Sequence, residues 1–110
     1  MNIIAVSTSG IKPDSTVEPV IGRADFFLFF DKQGNFIRAA PNPHRDLRQN
    51  SGTLVAKYLS EAGARAVLGG NVGPRAALAL RQAGIIISFP HSGPADEAVR
   101  RFLTSRTEAP

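Results

Sequence analysis

Apolar positions along the chain fall into two kinds of run, short continuous ones and longer ones at helical spacing. Ile3-Ile4-Ala5-Val6 is continuous and stops at Ser7-Thr8-Ser9-Gly10, the pattern of a central strand covered on both faces. Phe26 to Phe30 and Phe36 to Ala40 are β-prone runs on either side of Asp31-Lys32-Gln33-Gly34-Asn35, which predicts an antiparallel hairpin. From Ser51 or Gly52 the period changes: Leu54, Val55, Tyr58, Leu59 and Ala62 share one helical face, and Gly63 is placed as the C-terminal stop. Ala66-Val67-Leu68 is then a strand. Pro74 opens a second helix with Ala77, Leu78, Leu80 and Ala83 inward and Gly84 at its end, and Ile85 to Phe89 is the next strand. Ser92-Gly93-Pro94 starts a third helix, with Asp96 and Glu97 at its favourable dipole end and Val99, Phe102 and Leu103 inward. Residues 1–104 read as a single domain and 105–110 as a frayed tail.

The order β-β-β-α-β-α-β-α predicts an α/β fold. The leading strands alternate in direction, and right-handed crossovers make the later strands parallel to the first, which gives a five-stranded mixed sheet with helices on both faces. The first, third, fourth and fifth strands then end on one edge, where open α/β sheets collect ligands. Thr8-Ser9-Gly10, the loop from Asn42 to Arg48, Gly70-Asn71 and Pro90-His91-Ser92 are expected there as neighbours. Between Ile11 and Asp25 the prolines, glycines and lack of period predict a long loop of the functional or mobile kind, carrying Lys12 and Arg23.

Composition narrows the chemistry. A chain of 110 residues with 43% hydrophobic content supports one core. There is no Cys, so neither disulfides nor thiolate ligation of a metal is available from this chain. The apolar runs are too short to span a bilayer and the first residues lack the pattern of a cleaved leader, so a cytoplasmic protein without membrane contact is expected. Thirteen Lys and Arg against nine carboxylates leave a net charge of +4, and ten of the thirteen are Arg. The partner is expected to be anionic, and Arg is the cation whose planar donor fork suits oxyanions and soft anions.

The stretch from Ala66 to Arg75 carries the sharpest local signal: strand, Gly69-Gly70 turn, then a helix opened by Pro74. Such a turn can present N–H groups at the positive end of a helix, where an anion is held, or it can be a plain tight connection. Enzyme readings have little support. The first strand has no carboxylate where a two-metal nuclease needs one, the Gly turn matches neither the dinucleotide fingerprint nor the phosphate loop, and no Ser-His-Asp spacing stands out. His44 and His91 are too isolated for a metal-ligand motif, although His44 has Arg45 beside it. Nucleic-acid binding is the rival class. The charge permits it, yet the Arg residues are scattered and one Tyr with no Trp offers little to stack bases.

Met1 to Gly10, Pro19-Val20-Ile21-Gly22-Arg23-Ala24 before an aromatic strand, Asn42-Pro43, the Gly69-Gly70-Asn71-Val72-Gly73-Pro74 turn and the closing Ala-Gly-Ile strand and helix together resemble the dinitrogenase iron–molybdenum cofactor biosynthesis family. The likeness covers nearly the whole chain, and its Gly-Asn-Val-Gly-Pro turn is the most specific part. It implies a ribonuclease H-like fold and a bacterial, non-catalytic carrier of a metal–sulfur cluster. Many members have Pro-His-Phe-Gly-Arg where this chain has Pro19-Val20-Ile21-Gly22-Arg23, so a His that could ligate iron is absent. The chain also resembles a relative that holds a molybdenum–copper–sulfide cluster non-covalently. A Cys-free chain suits that cargo, which brings its own sulfurs and needs cations, N–H donors and shape. The resemblance thus implies a monomer that carries an anionic molybdenum–copper–sulfide cluster, or alternatively an iron–molybdenum cofactor precursor, received from or passed to another protein. The expected site comprises Thr8, Ser9, Gly10, Lys12, Arg23, Asn42, His44, Arg45, Gly70, Asn71 and His91, with Arg23 alternatively a solvated residue or a partner of Asp25.

Overall fold

The computed structural model describes residues 3–46 and 51–107. The strands are β1 (Ile3–Thr8), β2 (Phe26–Asp31), β3 (Phe36–Pro41), β4 (Ala64–Leu68) and β5 (Ile86–Ser88); the helices are α1 (Ser51–Glu61), α2 (Pro74–Gln82) and α3 (Ala95–Thr107). They form the expected five-stranded mixed sheet, in the order β3-β2-β1-β4-β5. β2 is antiparallel to both neighbours, and β4 is parallel to both β1 and β5.

The period of two along the strands divides the interior into two cores. Ile4, Val6, Leu28, Phe30, Ala66 and Leu68 point to one face and pack under Ala95, Ala98, Val99 and Phe102 of α3. Ala5, Phe27, Phe29 and Val67 point to the other, under Val55, Ala56 and Leu59 of α1 and Leu80 of α2. Each fully buried Phe or Leu contributes about 1.5–3 kcal/mol. On the helical face, α1 and α2 meet closely because position 52 is glycine: a Cβ there would come within 2.6 Å of the Ala76 Cβ.

The helix stops work as the spacing predicts. Gly63 and Gly84 take φ of +86° and +77°, the left-handed region that ends a helix at little cost without a Cβ. The hairpin turn closes on the Asp31 carboxylate, which accepts the backbone N–H groups of Gln33 and Asn35, both at 2.9 Å. These bonds, led by that from Asn35, hold the Asp31 carboxyl below its ordinary value.

Several expectations need correction. α3 runs on to Thr107, through the segment expected to be frayed from 105, because Ser105 and Arg106 tolerate a helix and no Gly or Pro interrupts before Pro110. Residues 108–110 lie outside the described residues, as does Arg48. In α2, Leu78 is 57% exposed and Ala83 is exposed, while Ala76 takes an inward position instead. β4 begins at Ala64, before the apolar run, with a register shift that leaves Arg65 as the extra, exposed residue. β5 keeps only Ile86–Ser88, with Ile85 buried ahead of it and Phe89 47% exposed beyond it. Among the described residues no helix is long and apolar enough to cross a membrane.

Candidate functional site

The four parallel strand ends bring residues 9–25, 42–46, 69–73 and 89–94 to one edge of the sheet. The first of these segments is a strap tied down along that edge. Glu18 sits between β1 and β4, its N–H donating to the Ser7 carbonyl at 2.8 Å and its own carbonyl accepting the Gly70 N–H at 3.0 Å. Ile21 N–H donates to the Asn71 carbonyl (3.1 Å), and Val17 N–H to the Gly93 carbonyl (2.9 Å). The Pro13 and Ser15 carbonyls accept the N–H groups of Asp96 and Ala95, so the strap also caps the start of α3. Val17 and Ile21 of the strap are themselves buried.

This pairing changes the reading of the glycine turn. Gly69 N–H donates to the Ser88 carbonyl at 3.3 Å, Gly70 N–H to Glu18, and Val72 N–H to the Asn71 Oδ1 at 2.8 Å. The Gly70 amide expected to face an anion is therefore consumed within the fold. Glycine is required here for close approach: a Cβ at Gly70 would lie 2.8 Å from both Cα and the carbonyl oxygen of Pro19, and one at Gly69 would collide with the Ile21 side chain. Asn71 itself is exposed, bridged to Val20 through the backbone.

Toward β3 the edge is polar and closely linked. A short 3₁₀ turn, Ile21–Arg23, precedes β2, and Asn42 follows β3. Asn42 is 4% exposed. Its Nδ2 donates to the carbonyls of Gly22 (3.3 Å) and Ala24 (3.0 Å), its Oδ1 accepts the His44 N–H (3.0 Å), and its own N–H donates to the Asp25 carbonyl (3.0 Å). These bonds occupy the side chain, so Asn42 holds neighbouring residues in place instead of facing a ligand. Arg23 and Arg45 are exposed, and Arg23 Nη1 donates to the Arg45 carbonyl at 3.2 Å. Arg45 Nη1 lies 2.6 Å from an Asp25 carboxylate oxygen, and its Nε lies 3.2 Å from Asp46. Asp25 thus partners Arg45, in place of the Arg23–Asp25 pair open at the outset.

Thr8, Ser9, Gly10 and Lys12 form the middle of the edge. Thr8 is buried, its Oγ1 donating to the Gly10 carbonyl at 2.9 Å, and Ser9 N–H donates to Thr16 on the strap. Lys12 is exposed, with its backbone N–H bonded to Ser15 Oγ. At the β5 end, His91 N–H donates to the Gly69 carbonyl (2.9 Å), and its Nε2 lies 2.7 Å from Ser88 Oγ. Burial, with the Arg101 guanidinium as the second cause, holds the His91 imidazole below its ordinary value. Contacts through Asp25 therefore join Arg23, Asn42, His44 and Arg45 into one group, while His91 belongs with Ser88 and Gly69. Glu18, Asp25 and Ser88 were not singled out from sequence as site residues. Of these, only Asp25, next to Arg23 and ahead of the aromatic strand, carried a local signal.

Among the described residues no group of three or more His, Cys, Asp or Glu is placed to hold a metal ion. The arrangement supplies exposed cations instead, on a small α/β domain whose open edge is strapped by its first loop. This chain belongs to the dinitrogenase iron–molybdenum cofactor family, whose model matches residues 1–105. It is similar to the apo form of the orange protein of Desulfovibrio gigas, with a TM-score of 0.90 and 33% identity over 96% of this chain and 90% of that one. A NifB-like protein from Thermotoga has a TM-score of 0.82 at 25% identity, again over 96% and 90%. An uncharacterized protein of Methanocaldococcus jannaschii is 24% identical over 98 residues, 86% of this chain and 83% of the other.

Proposed function

We propose that this protein is a non-catalytic carrier or store of an anionic molybdenum-containing metal–sulfide cluster, held non-covalently at the carboxyl edge of the sheet, with molybdenum–copper–sulfide as the cargo. The observation that carries the reading is the match to the cofactor family over residues 1–105 by a chain without Cys. A cluster that brings its own sulfide needs no thiolate from the protein; it needs cations and donors on an accessible surface. Lys12, Arg23, His44 and Arg45 would supply them, with Ser9, Asn71 and His91 along the same edge. Likeness to the orange protein favours that composition, the one the resemblance in sequence implies. The family's own name favours an iron–molybdenum cofactor precursor as the second reading.

The test is reconstitution of purified protein with tetrathiomolybdate and copper(I), followed by desalting, visible spectroscopy and metal analysis. Retained colour with both metals supports the first reading, and retention of iron with molybdenum supports the second. Arg23→Ala and Arg45→Ala are expected to weaken retention while changing stability by no more than ~0.5 kcal/mol, as is usual for exposed residues, and the half-buried His44→Ala should also weaken it. Arg81→Ala and Arg100→Ala, on exposed helix positions, are the controls. Equal loss in both sets would mean diffuse charge attraction, and a salt-sensitive gel shift with short DNA or RNA would move the reading to generic polyanion binding.

A further inference from the structure

The edge that would attract an anion also carries its own competitor for one of the cations. Arg45 is bonded to Asp25 on one side and Asp46 on the other, and Arg23 is joined to the same loop through the Arg45 carbonyl. The formal charges of Arg23, Arg45, Asp25 and Asp46 cancel, so the overall net charge of +4 is not concentrated at this corner. The two carboxylates differ in how they are held. The Asp46 side chain is 90% exposed, on the same loop as Arg45, whereas that of Asp25 is 35% exposed and comes from a separate segment, just ahead of β2. The backbone of Asp25 is also fixed, because its carbonyl accepts the Asn42 N–H. Its carboxylate is thereby kept within reach of Arg45 when a second anion approaches.

An anion that takes the Arg45 guanidinium must therefore displace the Asp25 carboxylate and leave it without that partner beside the incoming negative charge. An exposed pair is individually modest, but the incoming anion must offset both its loss and the repulsion from the freed carboxylate. We propose that Asp25 is a release element: it competes with the cargo for Arg45 and holds affinity at a level from which the cluster can be passed on. This rests on the cluster-carrier reading above and adds a named residue that works against binding, a device by which specificity and turnover are set.

Asp25→Asn keeps the shape and removes the charge. With tetrathiomolybdate and copper(I), it is expected to retain cluster about two- to fivefold more tightly than the wild-type protein at low salt, a range set by the modest strength of exposed ion pairs. The gain should shrink above roughly 0.15 M salt, where exposed charges are screened. It should also disappear in an Arg45→Ala background. Glu61→Gln makes the same change in net charge at the C-terminal end of α1 and should leave retention unchanged. If Asp25→Asn binds as the wild type does, or more weakly, while circular dichroism shows the fold intact, Asp25 merely positions Arg45 and the proposal fails with the carrier reading untouched. An equal gain from Glu61→Gln likewise overturns it. Failure of both wild type and Asp25→Asn to take up cluster overturns both readings together.

Discussion

Replacing Gly70 by Ala should destabilise the fold even though its backbone is not left-handed. Glycine substitutions are costly for two separable reasons, a positive φ or lack of room, and Gly70 has only the second. The new Cβ would stand 2.8 Å from the Pro19 Cα and carbonyl oxygen and 3.2 Å from the Glu18 carbonyl, all backbone atoms that no rotamer change can move. Relief requires lifting the strap, which stretches the Gly70 N–H···O bond to Glu18 and loosens the strap's own buried Val17 and Ile21. Overpacking costs about 1–3 kcal/mol and loss of one such hydrogen bond adds ~0.5–1.5 kcal/mol, for a total of roughly 1.5–4.5 kcal/mol. At ~4 °C per kcal/mol for a domain of this size, the melting temperature should fall by roughly 6–18 °C. Gly73→Ala is the internal control, three residues along the same turn, at φ −70° with nothing within 4 Å of its Cβ. Its cost should stay within about 1 kcal/mol, the scale of an N-cap preference. Thermal and urea unfolding followed by far-ultraviolet circular dichroism would measure both. Equal stability of the two variants would show that the strap gives way freely at Pro19, and the account of the turn as a docking surface for residues 18–21 would be wrong.

Asn42→Ala should lower stability by about 2–4 kcal/mol, since it leaves the buried carbonyls of Gly22 and Ala24 without their donor. Urea unfolding would check the value, and a change under ~1 kcal/mol would mean that water replaces the amide. His91 should titrate below 6.5 in an NMR pH series because burial and Arg101 oppose its charging. With the folded value lowered, the unfolded chain binds the proton more tightly. Stability linked to His91 is then present above pH ~6.5 and lost as the pH falls through the folded value, and His91→Gln should flatten that part of the stability profile. Gly73→Ser should stabilise by about 0.3 kcal/mol, because the start of α2 has no side-chain cap and an extended, uncrowded backbone ready for one. A lower melting temperature for Gly73→Ser would show that the hydroxyl fails to reach the first turn.

Much of this protein is legible in local pattern. The switch from period two to period 3.6 at Ser51, the left-handed glycines 63 and 84 and the Asp31 turn are decided within a few residues, so element order could be read directly. Handedness of crossovers then determined the sheet and gathered Thr8, Asn42, Gly70 and His91 on one edge. What sequence could not supply is which groups on that edge remain available to a ligand. The bare amide at Gly70 looks like part of an anion cradle until the strap, some fifty residues earlier in the chain, arrives with the Glu18 carbonyl. Arg45 looks like a free cation until Asp25, from the other end of the hairpin, meets it. Leu78 looks inward until α2 packs with Ala76, Ala77 and Leu80 buried, Ala76 lying against Gly52 of α1. Hydrogen bonds and ion pairs between distant segments depend on distances that only the packed sheet establishes. The chain's own order therefore determined where its chemistry would collect, and tertiary pairing decided which of those groups are spent on the fold.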